Sequence, residues 1–337
     1  MKGVHLNDAI CQDARWAAEW APLASLVMSG TTATDGVNIQ GGEWGGAVSV
    51  ESSLFMDLPW FTQPLLEQAH WIAPHDHCVV TLSGDQPQRL ALSLASTRYL
   101  SIVNDSSAPV GVALVGDLHQ PVAISVLHRS KAPVVVSSAL RLGAGGSLSA
   151  HGVLTQSVCG VMEWAIQLAA PQVSVSLQGL HLGVDASSLW TRSFLRHDVP
   201  DTTATQLLKS VGHGKSYSEY DGTVWVSHGA HGTDSTQRNP NLLLTPSARA
   251  ISKPQLRIYA DDVTCGHGAT VSQVSDEEWW YLRSRGLSRA EAYALLIEAF
   301  IHDMVPEWVH PQHQLAIQSV MGSYLSRVNP GGVSCQR

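Results

Sequence analysis

Cys265 and His267, two residues apart in the segment TCGHGATV at 264–271, are the residue pair in this chain best suited to chemistry. On an extended strand, alternate side chains leave the same face. A thiolate and an imidazole so placed are a donor pair for a transition metal. One strand supplies too few ligands for a closed site, so the remainder must come from a partner. Read from the residues alone, a plainer alternative stays open: a small buried thiol beside a hydrogen-bonded histidine. The C-x-H spacing does not have the specificity of paired CxxC motifs.

Other groups carry weaker chemistry. Asp261 and Asp262 are adjacent, so on a strand they face opposite sides and cannot jointly act as acid and base on one substrate; a turn or an interface contact suits them better. His228 and His231, in SHGAHG, are flanked by Gly229 and Gly232, which points to a tight turn rather than a metal site. In PHDHC, His75 and His77 share one strand face and Asp76 and Cys78 the other, with no further spaced ligand nearby, so the segment reads as a partly exposed strand start. VGHGKS at 211–216 ends like a phosphate-binding loop, but the glycine such a loop needs five residues before its final glycine is Lys209 here. No nucleotide is expected on this chain.

Composition bounds the elements that must position these residues. The chain has 337 residues, of which 14% are charged and 44% hydrophobic, with a net charge of -8. That balance allows a large buried core and disfavours a nucleic-acid partner, whose phosphates demand clustered Lys and Arg. The five cysteines, Cys11, Cys78, Cys159, Cys265 and Cys335, are scattered and form no CxxC pair, a pattern that fits a reducing, cytoplasmic setting better than a disulfide framework. The N-terminal residues lack the apolar run of a signal peptide. From 142 to 184 the only acid or base is Glu163, yet Gly, Ser, Thr, Gln and His recur throughout, as in strands and turns rather than a membrane span.

The spacing predicts helix near 7–20 and 63–72, and a Gly- and Thr-rich loop over 30–46. From about 77 to 274, short alternating runs such as 134–138, 173–177 and 223–226 alternate with Gly-containing turns, which is an all-β pattern compatible with a sandwich, a barrel or a β-helix. Beyond 274 the chain turns helical. Ser275 with Glu278, and Ser288 with Glu291, have the S-x-x-E form of a capping box, and Gly286 stands where the first helix should stop. Ala292, Leu295, Leu296, Ala299 and Phe300 fit one apolar stripe on the second helix, Pro306 ends it, and 312–327 predicts a last helix.

Three motifs then identify a family resemblance. YADDV at 259–263, CGHGATV at 265–271 and YLRSRG at 281–286 resemble SufD-like members of the SufB/SufD family, subunits of the SUF iron-sulfur cluster assembly system. The stretch 221–250, with its GTD and QRNPNLLL, resembles the coil before them. The likeness runs from about 220 to 300 and more faintly back to 123, while the first 75 residues are dissimilar. It implies a mainly β fold: a right-handed parallel β-helix at 76–273, between a short N-terminal helical or loop region at 1–75 and a C-terminal helical domain at 274–337.

The resemblance also implies a function. The chain would be a non-enzymatic scaffold that pairs with SufB and docks the SufC ATPase, with iron or a transient iron-sulfur cluster held at the subunit interface. His267 matches the family histidine proposed as a ligand opposite a SufB cysteine, and Cys265 stands beside it. Tyr259, Asp261 and Asp262 fall at the implied partner contact, and Leu295, Leu296 and Phe300 on the implied SufC-docking helix. Two alternatives stand beside this reading: a β-helix enzyme acting on a polysaccharide, which would need clustered carboxylates on one face, and a self-associating, homodimeric scaffold of the same family.

Overall fold

The computed structural model describes residues 37–44 and 70–328. Runs of Val, Leu and Ile separated by Gly-, Asp- and Ser-containing turns form sixteen strands among these residues. They are β1 (Val37–Trp44), β2 (His70–Leu82), β3 (Gln88–Ser93), β4 (Tyr99–Asn104), β5 (Val110–Leu118), β6 (Pro121–His128), β7 (Val134–Leu142) and β8 (Ser147–Thr155). There follow β9 (Cys159–Leu168), β10 (Ser174–Gly183), β11 (Ser188–His197), β12 (Thr203–Gly212), β13 (Tyr217–Val226), β14 (Asp234–Leu243), β15 (Arg249–Ile258) and β16 (Thr264–Gln273).

Pairing decides among the architectures that alternation left open. From β3 to β14 each strand pairs in parallel with the strand two positions after it, so the odd strands stack on one side and the even strands on the other. The chain is a parallel β-solenoid. Strand β2 joins the two sheets, pairing with β3 at 70–72 and with β4 at 77–82. The coils lengthen along the chain: Tyr99 lies beside Ala123, but Thr203 lies beside Asp234.

Two expectations for the N-terminal region change here. Within the predicted loop at 30–46, residues 37–44 are a strand, antiparallel to β2, and the predicted helix over 63–72 gives way to strand from His70. A flanking strand offered these backbone groups a ladder, which overrides a weak local signal. The helix predicted at 7–20 lies outside the described residues.

The interior changes character from one end to the other. In the first coils the inward side chains are aliphatic, among them Val80, Leu92, Leu100, Ile102, Leu114, Ile124 and Val126, all buried. From β11 onward polar residues take many of the buried inward positions, among them Thr191, Ser193, Gln206, Ser210, Tyr220, Ser235, Gln237, Asn239 and Asn241, beside apolar Leu195, Leu208, Val224 and Val226. Buried amides must find partners. Asn239 donates to the Leu208 carbonyl at 2.6 Å, and Asn241 donates to the Thr270 carbonyl at 3.1 Å, which ties the last two even strands together through a side chain.

After β16 come α1 (Asp276–Ser284), α2 (Arg289–Ile301), a single 3-10 turn (His302–Met304) and α3 (Pro311–Val328). The Ser288 hydroxyl accepts from the Glu291 amide at 3.3 Å and the Glu291 carboxylate accepts from the Ser288 amide at 2.8 Å, which completes the capping box. At Ser275 the hydroxyl accepts from the Glu278 amide. Gly286, at φ 96°, ends α1 as its position foretold. Replacing Ser288 by Ala should cost about 1 kcal/mol, read as a lowered urea midpoint, with most of the loss recovered in Ser288→Asp.

The stripe expected on α2 has a different phase. Ala292, Ile297 and Ile301 are the buried residues, with Tyr293 and Phe300 packed beside them, whereas Leu295 and Ala299 are exposed and Leu296 is half-buried. These side chains, with those of α3, cover the outer face of the even sheet at Leu127, Val153, Leu180, Leu182, Val211 and Leu242. Polar contacts fix the dock. The His151 ring donates from Nε2 to the Met304 carbonyl at 2.7 Å, Lys209 donates to Asp303 at 2.6 Å and to the Phe300 carbonyl at 2.7 Å, and the Tyr324 hydroxyl reaches the Val211 carbonyl at 3.0 Å. His313 on α3 bonds Ser101 on β4.

Candidate metal site at the open end of the solenoid

β15 and β16 are the last strands of their sheets, and among the described residues each is paired on one side only. Burial drops sharply there: β14 still has a buried residue at nearly every second position, whereas β16 has none. Ile258, Tyr259 and Val271 are large apolar side chains left 39%, 45% and 53% exposed.

Register places the candidate ligands on this rim. Cys265 lies beside Ser235 and His267 beside Gln237, both inward positions of β14. Cys265 and His267 therefore project to the inner side of the last coil, where no further coil among the described residues covers them. The two differ in availability. Cys265 is half-buried against the small cluster of Val224, Val226 and Ala230, and burial pushes its thiol pKa up, with the Asp234 charge adding to the rise against a hydrogen bond from the Ser235 backbone. His267 is exposed. On the opposite face of β16, a Cβ added at Gly266 or Gly268 would meet nothing within 4 Å among the described residues.

The donor set fits half of a metal site. A neutral imidazole is ready to bind, whereas a thiol held protonated by burial is a poorer ligand until a metal displaces its proton. Among the described residues there is no cluster of three or more His, Cys, Asp or Glu arranged to hold a metal ion. A site at His267 would need donors beyond the described residues.

The remaining candidates resolve into turns and packing. Asp261 and Asp262 form the bend between β15 and β16, with Asp262 at φ 56°, a conformation Asp tolerates. His231 donates from Nδ1 to the Asp261 carbonyl at 2.7 Å, and Gly232 donates to the Asp262 carbonyl at 2.8 Å, so one turn stacks on the next. His228 packs its ring 5.4 Å from Tyr259, which also meets Trp225 at 4.8 Å. In β2, Asp76 pairs with Arg98, His77 lies 6.1 Å from the Tyr99 ring, and Cys78 is buried in the core, its pKa pushed up to about 11 by burial. The segment 211–216 closes β12 and turns into β13, with no helix behind it to hold a phosphate.

One surface was missed in the sequence. Helix α1 buries none of its residues. Trp280 and Tyr281 are 61% and 57% exposed. Arg283 lies 5.0 Å over Trp279, Arg285 lies 5.1 Å over Tyr281, and Arg289 lies 5.6 Å over Trp279. The signal was available in WWYLRSR, which reads as a cation-π array once the helix is recognised. Of the three docking candidates on α2, only Leu295 is exposed; Phe300 packs on the chain's own sheet beneath Lys209.

Comparison with known proteins gives this end of the molecule a context. The family model for the SUF system FeS cluster assembly SufBD core domain matches residues 122–300, more than half of the chain. The chain belongs to the SufBD family. Among its relatives, the iron-sulfur cluster assembly protein SufD of Escherichia coli is 34% identical over 160 residues, covering 48% of this chain and 35% of that one. A SufBD family protein of Synechocystis is 41% identical over 119 residues, 34% of this chain and 26% of its own length. The chloroplastic protein ABCI7 of Arabidopsis thaliana is 30% identical over 170 residues, 50% and 34% respectively. The chain thus spans about a third or less of the length of each of these SufBD relatives. The SufBD match takes in the turn at 261–262, all of β16, all of α1 and most of α2. No helix among the described residues is long and apolar enough to cross a membrane.

A polysaccharide-cleaving groove finds little support. On the outer face of the odd sheet Glu163 lies beside Arg192, Arg192 beside Asp221, and Asp221 beside Lys253. Each carboxylate has a cation in the next strand, a neutralised ladder unlike the free acid pair such an enzyme needs.

Proposed function

We propose that this chain acts as a scaffold subunit in SUF iron-sulfur cluster assembly, presenting His267 as one ligand of a site that a second SufBD-type subunit completes. The observation that carries the reading is an exposed imidazole on a terminal strand paired on one side, among exposed apolar residues and with no metal-holding cluster around it among the described residues. A partner strand adding along β15 or β16 would supply backbone hydrogen bonds, and Ile258, Tyr259 and Val271 would supply apolar contact. The nascent cluster or its iron is cargo there, and separating the subunits opens the site.

A SufC-like ATPase would dock on α1 and the exposed side of α2, through Trp280, Tyr281 and Leu295 rather than Phe300. Aromatic and Arg side chains on a helix that buries nothing of its own are the composition of an interface centre. The chain itself is read as a non-enzymatic, cytoplasmic component.

His267→Ala is the decisive test. In an anaerobic reconstitution with SufB-like and SufC-like partners, cluster transfer to an apo-acceptor should fall at least about tenfold, the scale lost when even the surroundings of a metal ligand are disturbed. Folding stability should stay within about 0.5 kcal/mol, since the ring is exposed. Unchanged transfer would overturn the assignment. The same exposed edge also suits self-association, and light scattering of the isolated chain, with and without the partners, separates a homodimer from the mixed complex.

A further inference from the structure

We propose that a water molecule is built into the dock between the C-terminal helices and the even sheet, held by Ser125, His151 and His313. The site is separate from the rim that carries His267 and does not depend on the assembly role. Register sets its floor: on the outer face of the even sheet, Ser101 of β4, Ser125 of β6 and His151 of β8 stand side by side on consecutive paired strands, about 5 Å from one to the next. The helical segment meets both ends of this row. His313 of α3 bonds Ser101 through Nδ1, and the Met304 carbonyl accepts from His151 Nε2 at 2.7 Å. Ser125 is the middle member, between the two contacts.

Ser125 Oγ, His151 Nδ1 and His313 Nε2 have no hydrogen-bond partner among the described residues. The residues that carry them are 0%, 0% and 4% exposed, so bulk water does not serve them. A buried polar atom left unpaired is costly. Three of them along one seam mark a place for a small ligand that they share.

The protons decide what kind of ligand fits. His151 gives its one ring proton from Nε2 to Met304, so Nδ1 presents a lone pair and needs a donor. Burial, and after it the neighbouring His151, Arg129 and His310, push the His313 pKa down to about 4, and burial does the same to His151. Both rings are therefore neutral at pH 7, and the nearby Arg129 opposes a cation between them. Among the described residues no group of three or more His, Cys, Asp or Glu is arranged to hold a metal ion. A water satisfies the set: one proton goes to His151 Nδ1, and its other proton and lone pairs serve Ser125 and His313, whichever tautomer the Ser101 bond selects for His313. Buried waters typically make about three such bonds. Sheet and helices are thus fastened through a solvent molecule where their side chains do not meet.

In a crystal structure of the full chain, one ordered water should stand about 2.7–3.2 Å from Ser125 Oγ, His151 Nδ1 and His313 Nε2. In solution, 17O relaxation dispersion counts the waters held inside a protein, and the count should fall by one in Ser125→Val, whose added methyl takes the space and offers no hydroxyl. In the same variant the His151 Nδ1 shift should move toward that of an imidazole nitrogen without a hydrogen bond. If Ser125→Val does not fold, the crystal structure and water-to-imidazole NOEs at His151 and His313 in the unaltered chain carry the test. Three atoms bonded directly to protein groups, a metal ion in the density, or an unchanged water count in the folded variant would each overturn the proposal.

Discussion

As pH falls from 7 to about 4.5, the chain should lose several kcal/mol of folding stability, with most of the loss above the range in which ordinary carboxylates titrate. Five histidines, His128, His151, His181, His197 and His313, are buried and have pKa values pushed down to about 4, in each case chiefly by desolvation. In the unfolded chain each titrates near 6.5. Between 6.5 and 4 the unfolded state therefore binds more protons than the folded one, so the stability is complete above 6.5 and is lost as pH drops through the folded values. Each residue contributes on the order of a few kcal/mol.

Two of the five sit at the helical dock. His313 faces Ser101 and feels His151, Arg129 and His310 as further positive neighbours, and His151 holds the Met304 carbonyl. Urea titrations at pH 7, 6 and 5 measure the slope. His151→Gln, which keeps a donor for Met304, should flatten it, whereas a slope unchanged by that variant would mean that the dock does not feel the acid.

Trp164→Ala should remove about 3–5 kcal/mol, the range for emptying a buried aromatic site. Trp164 is 1% exposed, heads the fully buried side chains by volume, and lies in register between Ser138 on β7 and Ser193 on β11. Two small neighbours make the room that the indole fills and cannot fill it themselves. Rigid sheets on either side oppose collapse, so the cavity term should be close to full. Trp164→Phe should cost much less, because it keeps most of the apolar volume and deletes an indole N–H that has no partner among the described residues. Denaturant midpoints for the two variants provide the comparison, and a loss under 1 kcal/mol for Ala would show that the coils close over the gap.

Much of this molecule is written locally. The strand at 134–138 announces itself by its run of Val and that at 173–177 by alternating Val and Ser, and the S-x-x-E patterns and Gly286 set helix ends because capping depends only on near neighbours. The coil register is a different matter. In β14 the inward residues are Ser235, Gln237, Asn239 and Asn241, so a polarity pattern cannot tell inside from outside. The α2 stripe slipped for a related reason: RAEAYALLIEAFI is apolar on almost every side, and only the sheet it meets selects Ile297 and Ile301 over Leu295. At the candidate site, the strand that carries Cys265 and His267 was legible in the sequence. Their register neighbours Ser235 and Gln237 were not, because thirty residues separate each pair and only parallel stacking brings them together.

The change from an aliphatic to a polar interior gives the rod a weak end and a strong one. Local opening follows the density of apolar contact, so thermal fraying should begin at β15 and β16 and stop where Leu177 and Trp164 take over. A subunit that seals the frayed rim would quench motion several coils away from where it touches, and through Asn241 and the Lys209 anchor that quieting would extend toward the helices on the outer face. Occupancy at one end could then be felt at the other as stiffness, without any change of shape.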